Sequence, residues 1–233
     1  SARPLLVDRE ISTGFGEAFR AFRTNVRLSM LPGGMRSVVV TSACAGDGKT
    51  LVASNLAVAL ALAEHRVLLI DADLRRPTLH TAFNVKSEPG LTDFLIGEGR
   101  IANLIRRTRI PRLHLLTAGT LPPNPSELLD SQRFRKFLAR LGNHYDWVIL
   151  DSPPVMPVTD AIVLAEAATG VIFVTAAETT PIPASRSAVD QLRRAPAPLL
   201  GVVLNRADLK RRGYYTRYYR RAYQAYYGHP TPA

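Results

Sequence analysis

Short runs of apolar, often β-branched residues recur along this chain, and segments with a helical spacing of apolar positions fill the gaps between them. The runs predict strands over residues 37–42, 66–71, 113–117, 147–151, 171–175 and 199–204. Several are apolar without alternation, such as Val38-Val39-Val40, Val67-Leu68-Leu69-Ile70 and Val148-Ile149-Leu150. A strand wetted on one face alternates polar and apolar residues, whereas an unbroken run suits a strand covered on both faces. The intervening patterns predict helices over 50–64, 126–141, 160–168 and 183–194, with an amphipathic helix over about 12–30 ahead of the first strand. Strand and helix in alternation imply an α/β fold, a mostly parallel sheet with helices on both faces. Such sheets bind ligands at the carboxyl ends of their strands.

With 233 residues, 46% of them apolar, the chain has enough material for one well-packed domain and a tail. The division falls near residue 208: residues 1–208 read as the domain and 209–233 as the tail. No apolar run reaches the roughly 18 residues that span a bilayer. The longest, 51–63, is interrupted by Ser54 and Asn55. The chain opens on Ser1 rather than Met, as expected of a piece trimmed from a longer protein. The single cysteine, Cys44, leaves no internal disulfide and favours a reducing, cytoplasmic setting. Net charge is +11, and six of those charges lie in the acid-free tail as Lys210, Arg211, Arg212, Arg217, Arg220 and Arg221. A basic tail suits nucleic acid, anionic lipid or an acidic partner, or simply solvent.

The chemistry concentrates where strands end. The first predicted strand runs into Ala43-Cys44-Ala45-Gly46-Asp47-Gly48-Lys49-Thr50-Leu51 and then a helix. Strand, Gly-Lys-Thr turn and helix form a P-loop arrangement, although Ala43 stands where a strict motif has its first glycine. Glycines let backbone N–H groups curl around phosphate oxygens, and the helix N-terminus adds partial positive charge. Lys49 would reach the β- and γ-phosphates, and the Thr50 hydroxyl would ligate Mg²⁺. Two further strands end in acids: Asp71-Ala72-Asp73-Leu74-Arg75-Arg76-Pro77 and Asp151-Ser152-Pro153-Pro154. Alternation along a strand would put Asp71 and Asp73 on one face. An apolar strand delivering Asp151 is the Walker B pattern, which serves Mg²⁺ or its waters. Each aspartate alone would suit an ordinary helix cap; three together beside a P-loop predict phosphoryl transfer. Asp71 is the expected base, with Asp73 and Asp151 left for the metal. Asn205-Arg206-Ala207-Asp208 follows the last strand, where Asn205 is expected to meet the base, and ATP is favoured over GTP.

Seven of the eight tyrosines fall between residues 214 and 227: Tyr214, Tyr215, Tyr218, Tyr219, Tyr223, Tyr226 and Tyr227. A helix with an aromatic face and an arginine face accommodates them geometrically. Gly213 and Gly228 bracket the segment, and tyrosine is a middling helix former. Read as phosphoacceptors, three or four phosphates at about −1.5 to −2 charge each would cancel the tail's basic charge. Stacking on single-stranded nucleic acid is a third reading, without support elsewhere in the chain.

Taken together, these residues resemble the bacterial tyrosine kinases, the cytoplasmic domains that regulate capsule and exopolysaccharide chain length. The resemblance covers nearly the whole chain. It runs through 45–50 as Walker A, 71–77 as Walker A′, 148–154 as Walker B and the tyrosine cluster. Gly90-Leu91-Thr92-Asp93 and Pro122-Pro123-Asn124-Pro125-Ser126-Glu127-Leu128-Leu129 are also similar to family segments. It implies Mg-ATP as the nucleotide, Asp71 as base and Asp73 and Asp151 at Mg²⁺. Glu17, Arg20 and Arg23 match the family's E-x-x-R-x-x-R pattern, which implies a homo-oligomeric ring phosphorylating its tails between subunits and dissociating afterwards. The alternative is an ion pair within one helix. The family also implies a transmembrane polysaccharide co-polymerase as activator, fused or separate, a place at the inner face of the plasma membrane, and no nucleic acid. The sequence departs from the family at Ala45, where many members have proline, and at Leu51, where a hydroxyl residue is common. Partition and septum-positioning ATPases, switches without a protein acceptor, are the alternative class. Their signature lysine is replaced here by Cys44.

Overall fold

The computed structural model describes residues 4–8, 12–30 and 33–207. Its elements run α1 (Thr13–Leu28), β1 (Arg36–Ser42), α2 (Lys49–Ala61), β2 (Val67–Asp71), α3 (Leu79–Ala82), α4 (Leu91–Ile96), α5 (Ile101–Leu104), β3 (Arg106–Arg107), β4 (Leu113–Leu116), α6 (Pro125–Asp130), α7 (Gln132–Leu141), β5 (Trp147–Asp151), α8 (Asp160–Ala167), β6 (Gly170–Ala176), α9 (Ile182–Leu192) and β7 (Leu199–Asn205). The strands form one sheet in the order β3-β4-β2-β5-β1-β6-β7. Every pairing is parallel except that of the two-residue β3 with β4. The expected α/β architecture is therefore present, with strand ends within two residues of those read from the sequence.

The unbroken apolar runs occupy the centre of the sheet, and β2 and β5 are buried at every position. One face packs against α4, α6, α7, α8 and α9 through residues such as Leu68, Ile70, Phe134, Phe137, Val148, Leu150, Leu164 and Leu192. The other face packs mainly against α2 through Val38, Val40, Val52, Leu56, Leu60, Leu69 and Ile149. Helix α2 is buried from Val52 through Ala61 because α1 covers its outer side with Phe22 and Val26. A helix apolar all round is stable only when enclosed in this way. Trp147, the single tryptophan, is fully buried at the amino end of β5. The Arg36 guanidinium lies 5.2 Å from its ring centroid and the His65 ring 6.4 Å away.

The helix expected over 126–141 is two helices. Ser131 sits in extended conformation between them, accepts from the Phe134 N–H and donates to the Leu128 carbonyl. One side chain thus ends α6 and starts α7, as serine at a cap does. The short elements α3, α4, α5 and β3 have no counterpart in the sequence reading. No helix among the described residues is long and apolar enough to cross a membrane. The tyrosine-rich tail lies outside the described residues.

Candidate active site

Parallel pairing brings the carboxyl ends of β2, β5 and β1 side by side. Asp71 pairs in register with Asp151, and Asp151 with Val40, two residues before the end of β1. The P-loop leaves β1 at that point. Gly46 and Gly48 take the left-handed conformation, at φ 91° and 97°. Nothing among the described residues lies within 4 Å of where a Cβ on Gly46 would be. Asp47 is buried and holds the loop's shape: it accepts from the Cys44 N–H at 2.9 Å and the Thr180 hydroxyl at 2.7 Å. Among the described residues no side chain caps the start of α2, and Gly48, Lys49, Thr50 and Leu51 line the cavity there. That is an anion site by the geometry of helix ends. Burial and the Asp47 charge push the Cys44 thiol up, which disfavours the thiolate.

Lys49 and Thr50 open α2 beneath this loop. Burial opposes the Lys49 charge, but Asp151 and Asp73 outweigh it and raise its pKa above the ordinary lysine value. Lys49 Nζ donates to Asp73 Oδ2 at 2.9 Å, while Asp73 Oδ1 accepts the Arg76 N–H. Strand β2 ends at Asp71, but the Ala72 N–H still donates to the Asp151 carbonyl at 2.8 Å, and Asp73 follows ahead of the bend at 74–76. Asp71 is fully buried, and its Oδ2 accepts from the Thr78 and Leu79 N–H groups at 3.0 and 2.9 Å. Its Oδ1 is buried without a hydrogen-bond partner among the described residues. Burial, and then the Asp151 charge, push the Asp71 pKa up to about 8. Carboxylates this close cannot all ionise around one lysine, and a bound cation would change that balance.

The donor set fits Mg²⁺. The ion prefers carboxylate, hydroxyl, water and phosphate oxygens, and Thr50, Asp73 and Asp151 offer the first two kinds beside the buried Asp71 Oδ1. Among the described residues no three His, Cys, Asp or Glu side chains would hold a metal unaided. A cavity of about 810 Å³ opens above the site, lined by Ala45, Gly46, Gly48, Lys49, Thr50, Leu51, Asp73, Arg75, Arg76, Asn205 and Arg206 among others. Asn205 lies at the loop's edge, where its Nδ2 donates to the Asp47 carbonyl at 2.8 Å.

Two functional candidates, Asp160 and Asn55, escaped the sequence reading. Asp160 is fully buried at the start of α8, bonds the Ser126 hydroxyl, and receives Arg75 Nε at 2.8 Å and Nη2 at 3.0 Å. This clamp ties the segment after Asp73 to α6 and α8. Asn55 was read only as an interruption of the apolar run 51–63; its signal was a polar residue embedded in that run. Asp47 was expected among the residues of the phosphate loop, and the structure adds that its carboxylate holds the loop's shape. Of the oligomerisation candidates, Glu17 and Arg20 pair on an exposed side of α1, while Arg23 Nη1 donates to the Ala59 carbonyl of α2 at 3.2 Å.

An AAA-domain family profile matches residues 35–182. The chain is 38% identical over 202 residues to tyrosine-protein kinase YwqD of Bacillus subtilis (strain 168), covering 87% of this chain and 85% of that one. It is 33% identical to tyrosine-protein kinase Wzc of Salmonella typhimurium (strain LT2) over 90% of its own length, yet spans only 29% of Wzc. Among solved structures, the chimerical protein CapA2B2 superposes with a TM-score of 0.82 at 36% identity, over 87% of this chain and 89% of that one. The septum site-determining protein MinD of Pyrococcus horikoshii OT3, solved with Mg-ADP, matches less well: TM-score 0.64 at 25% identity, over 75% and 72%.

Proposed function

This chain belongs to the bacterial tyrosine-protein kinases, and we propose that it moves the γ-phosphoryl group of ATP onto Tyr214, Tyr215, Tyr218, Tyr219, Tyr223, Tyr226 and Tyr227 of a neighbouring copy. The observation that carries the reading is the Lys49–Asp73 ion pair under the P-loop, with Asp71 and Asp151 held side by side behind it. Backbone N–H groups of residues 45–50 cradle the phosphates, and Lys49 exchanges Asp73 for the β- and γ-oxygens. Thr50, Asp73 and Asp151 would hold Mg²⁺, which would supply positive charge to the phosphates. The tyrosine oxygen bonds to the γ-phosphorus as the bond to the β-phosphate bridging oxygen breaks. ADP leaves, and Asp71 takes the phenolic proton. Asn205 reads the base.

Exchange between subunits calls for an assembly, and Glu17, Arg20 and Arg23 are the residues proposed to bring copies together in a ring. The charge that phosphorylation adds to the tail would release them. The resemblance to the bacterial tyrosine kinases supports a role in capsule or exopolysaccharide export at the inner face of the membrane, with a transmembrane co-polymerase as activator.

Incubation with γ-labelled ATP and Mg²⁺, followed by mass spectrometry of the tail, tests the proposal. Label on residues 214–227 is expected, with a fall of roughly 10²–10³-fold in Lys49→Met. Labelling should also vanish in a chain ending at Asp208. Free phosphate without labelled tyrosine, with the activator's cytoplasmic segment present, would instead make the protein an ATPase switch.

A further inference from the structure

Asn55 is out of place by composition. It sits in the middle of α2, fully buried, with apolar residues on most sides. An unpaired buried amide costs about 1–3 kcal/mol, so its partners matter. Its Oδ1 accepts the Leu6 N–H at 2.8 Å, and its Nδ2 donates to the Pro4 carbonyl at 2.9 Å and the Leu51 carbonyl at 3.0 Å. Two of the three bonds therefore go to a segment 49 to 51 residues earlier in the chain. That segment is docked along its length. Leu5 is 2% exposed, and Leu6 packs on the α2 side of the core. Asp8 Oδ2 accepts the Leu5 N–H at 2.7 Å, and Asp8 pairs with Arg109 at 2.5 Å. Pro4, at the far end, lines the same cavity as Gly48, Thr50, Leu51 and Arg206.

We propose that Asn55 is a positioning residue for nucleotide binding, tying the strap Pro4–Asp8 to the P-loop helix so that Pro4 completes one wall of the cavity. The proposal rests on this cavity being the nucleotide site. Asn55 touches neither phosphate nor metal. It acts one helical turn beyond Leu51, by fixing a strap that would otherwise have to be ordered each time nucleotide binds. Ordering a wall in advance raises affinity without new contacts. The coupling runs both ways: bound nucleotide must also hold the strap.

The test uses the full chain with Mg-ATP as ligand. Asn55→Ala removes the tether. Leu5→Asp undocks the strap while leaving α2 intact, and so serves if Asn55→Ala folds poorly. In both, the KM and Kd for ATP are expected to rise about tenfold, with kcat at saturating ATP within about threefold of the parent, a typical coupling size. In the parent chain, saturating Mg-ATP is expected to slow hydrogen exchange at the Leu6 amide. A lower melting temperature with unchanged KM and Kd in a folded variant would reduce Asn55 to a structural residue and overturn the proposal. Failure of the parent chain to bind Mg-ATP at all would overturn the nucleotide-site reading, and the strap proposal with it.

Discussion

At the scale of single residues, the most informative group is Asp71. Its fully buried carboxyl spends one oxygen on two backbone N–H groups and leaves the other unpaired beside Asp151. With its pKa raised from 3.8 to about 8, the folded chain binds a proton that the unfolded chain releases. The resulting stability is fully present below the unfolded value near 3.8 and is lost as pH rises through about 8. Asp71→Asn removes that dependence and keeps an acceptor for Thr78 and Leu79, while its amide can donate toward Asp151. The variant is expected to be more stable than the parent near pH 8 by about 2 kcal/mol without nucleotide, yet to form almost no phosphotyrosine. Melting curves across pH and a labelling assay read the two effects separately. A variant destabilised at pH 8 would mean that the cap, not the charge, dominates at this position. The place of Asp71 at the end of a central strand was legible in the sequence because an apolar run leads directly into it. Its solitary oxygen was not, since only the register of β2 against β5 creates that crowding.

At the scale of elements, legibility tracks the range of the cause. The central strands announce themselves in their own residues, because burial on both faces demands an apolar run such as 67–70. Ser131 breaks a helix that periodicity would continue, because the break depends on one hydroxyl serving two helix ends. Elements of four to six residues, such as α3 and α4, are set by what they touch. Helix α4 shows how. Gly90 precedes it and lies so close to the β4 exit that a Cβ there would meet the Thr117 carbonyl oxygen at 2.2 Å and the Gly119 nitrogen at 2.5 Å. Asp93 closes the junction, accepting from the Gly90 N–H and the Thr120 hydroxyl. Gly90→Ala must therefore move backbone, and is expected to destabilise the fold by about 2–3 kcal/mol, measured as a shift in urea midpoint. A change under about 0.5 kcal/mol would show that the junction gives way easily. The Arg75–Asp160 clamp was equally hidden, its partners lying 85 residues apart.

At the scale of the whole molecule, two histidines set an acid limit. Burial, with help from Arg107, lowers the His114 pKa, and burial with Arg27 lowers that of His65. Both are favoured as neutral rings in the fold. The unfolded chain then takes up protons first as pH falls below about 6.5, so stability is lost in that direction. His114 also shares a 2.8 Å hydrogen bond with Tyr145. His114→Asn is expected to flatten the decline in melting temperature between pH 7 and pH 5, and an unchanged slope would assign the acid limit to other groups. The histidine and Asp71 effects oppose one another in sign: the first favours stability as pH rises, the second as it falls. The single indole of Trp147 stands at the amino end of β5, about 13 Å of extended strand away from Asp151. Its fluorescence is thus an internal gauge placed at the quiet end of the sheet. It should report unfolding through the exposure of the ring, while the emission of the folded state stays blind to nucleotide, so that ligand registers only as a later midpoint on the same optical trace.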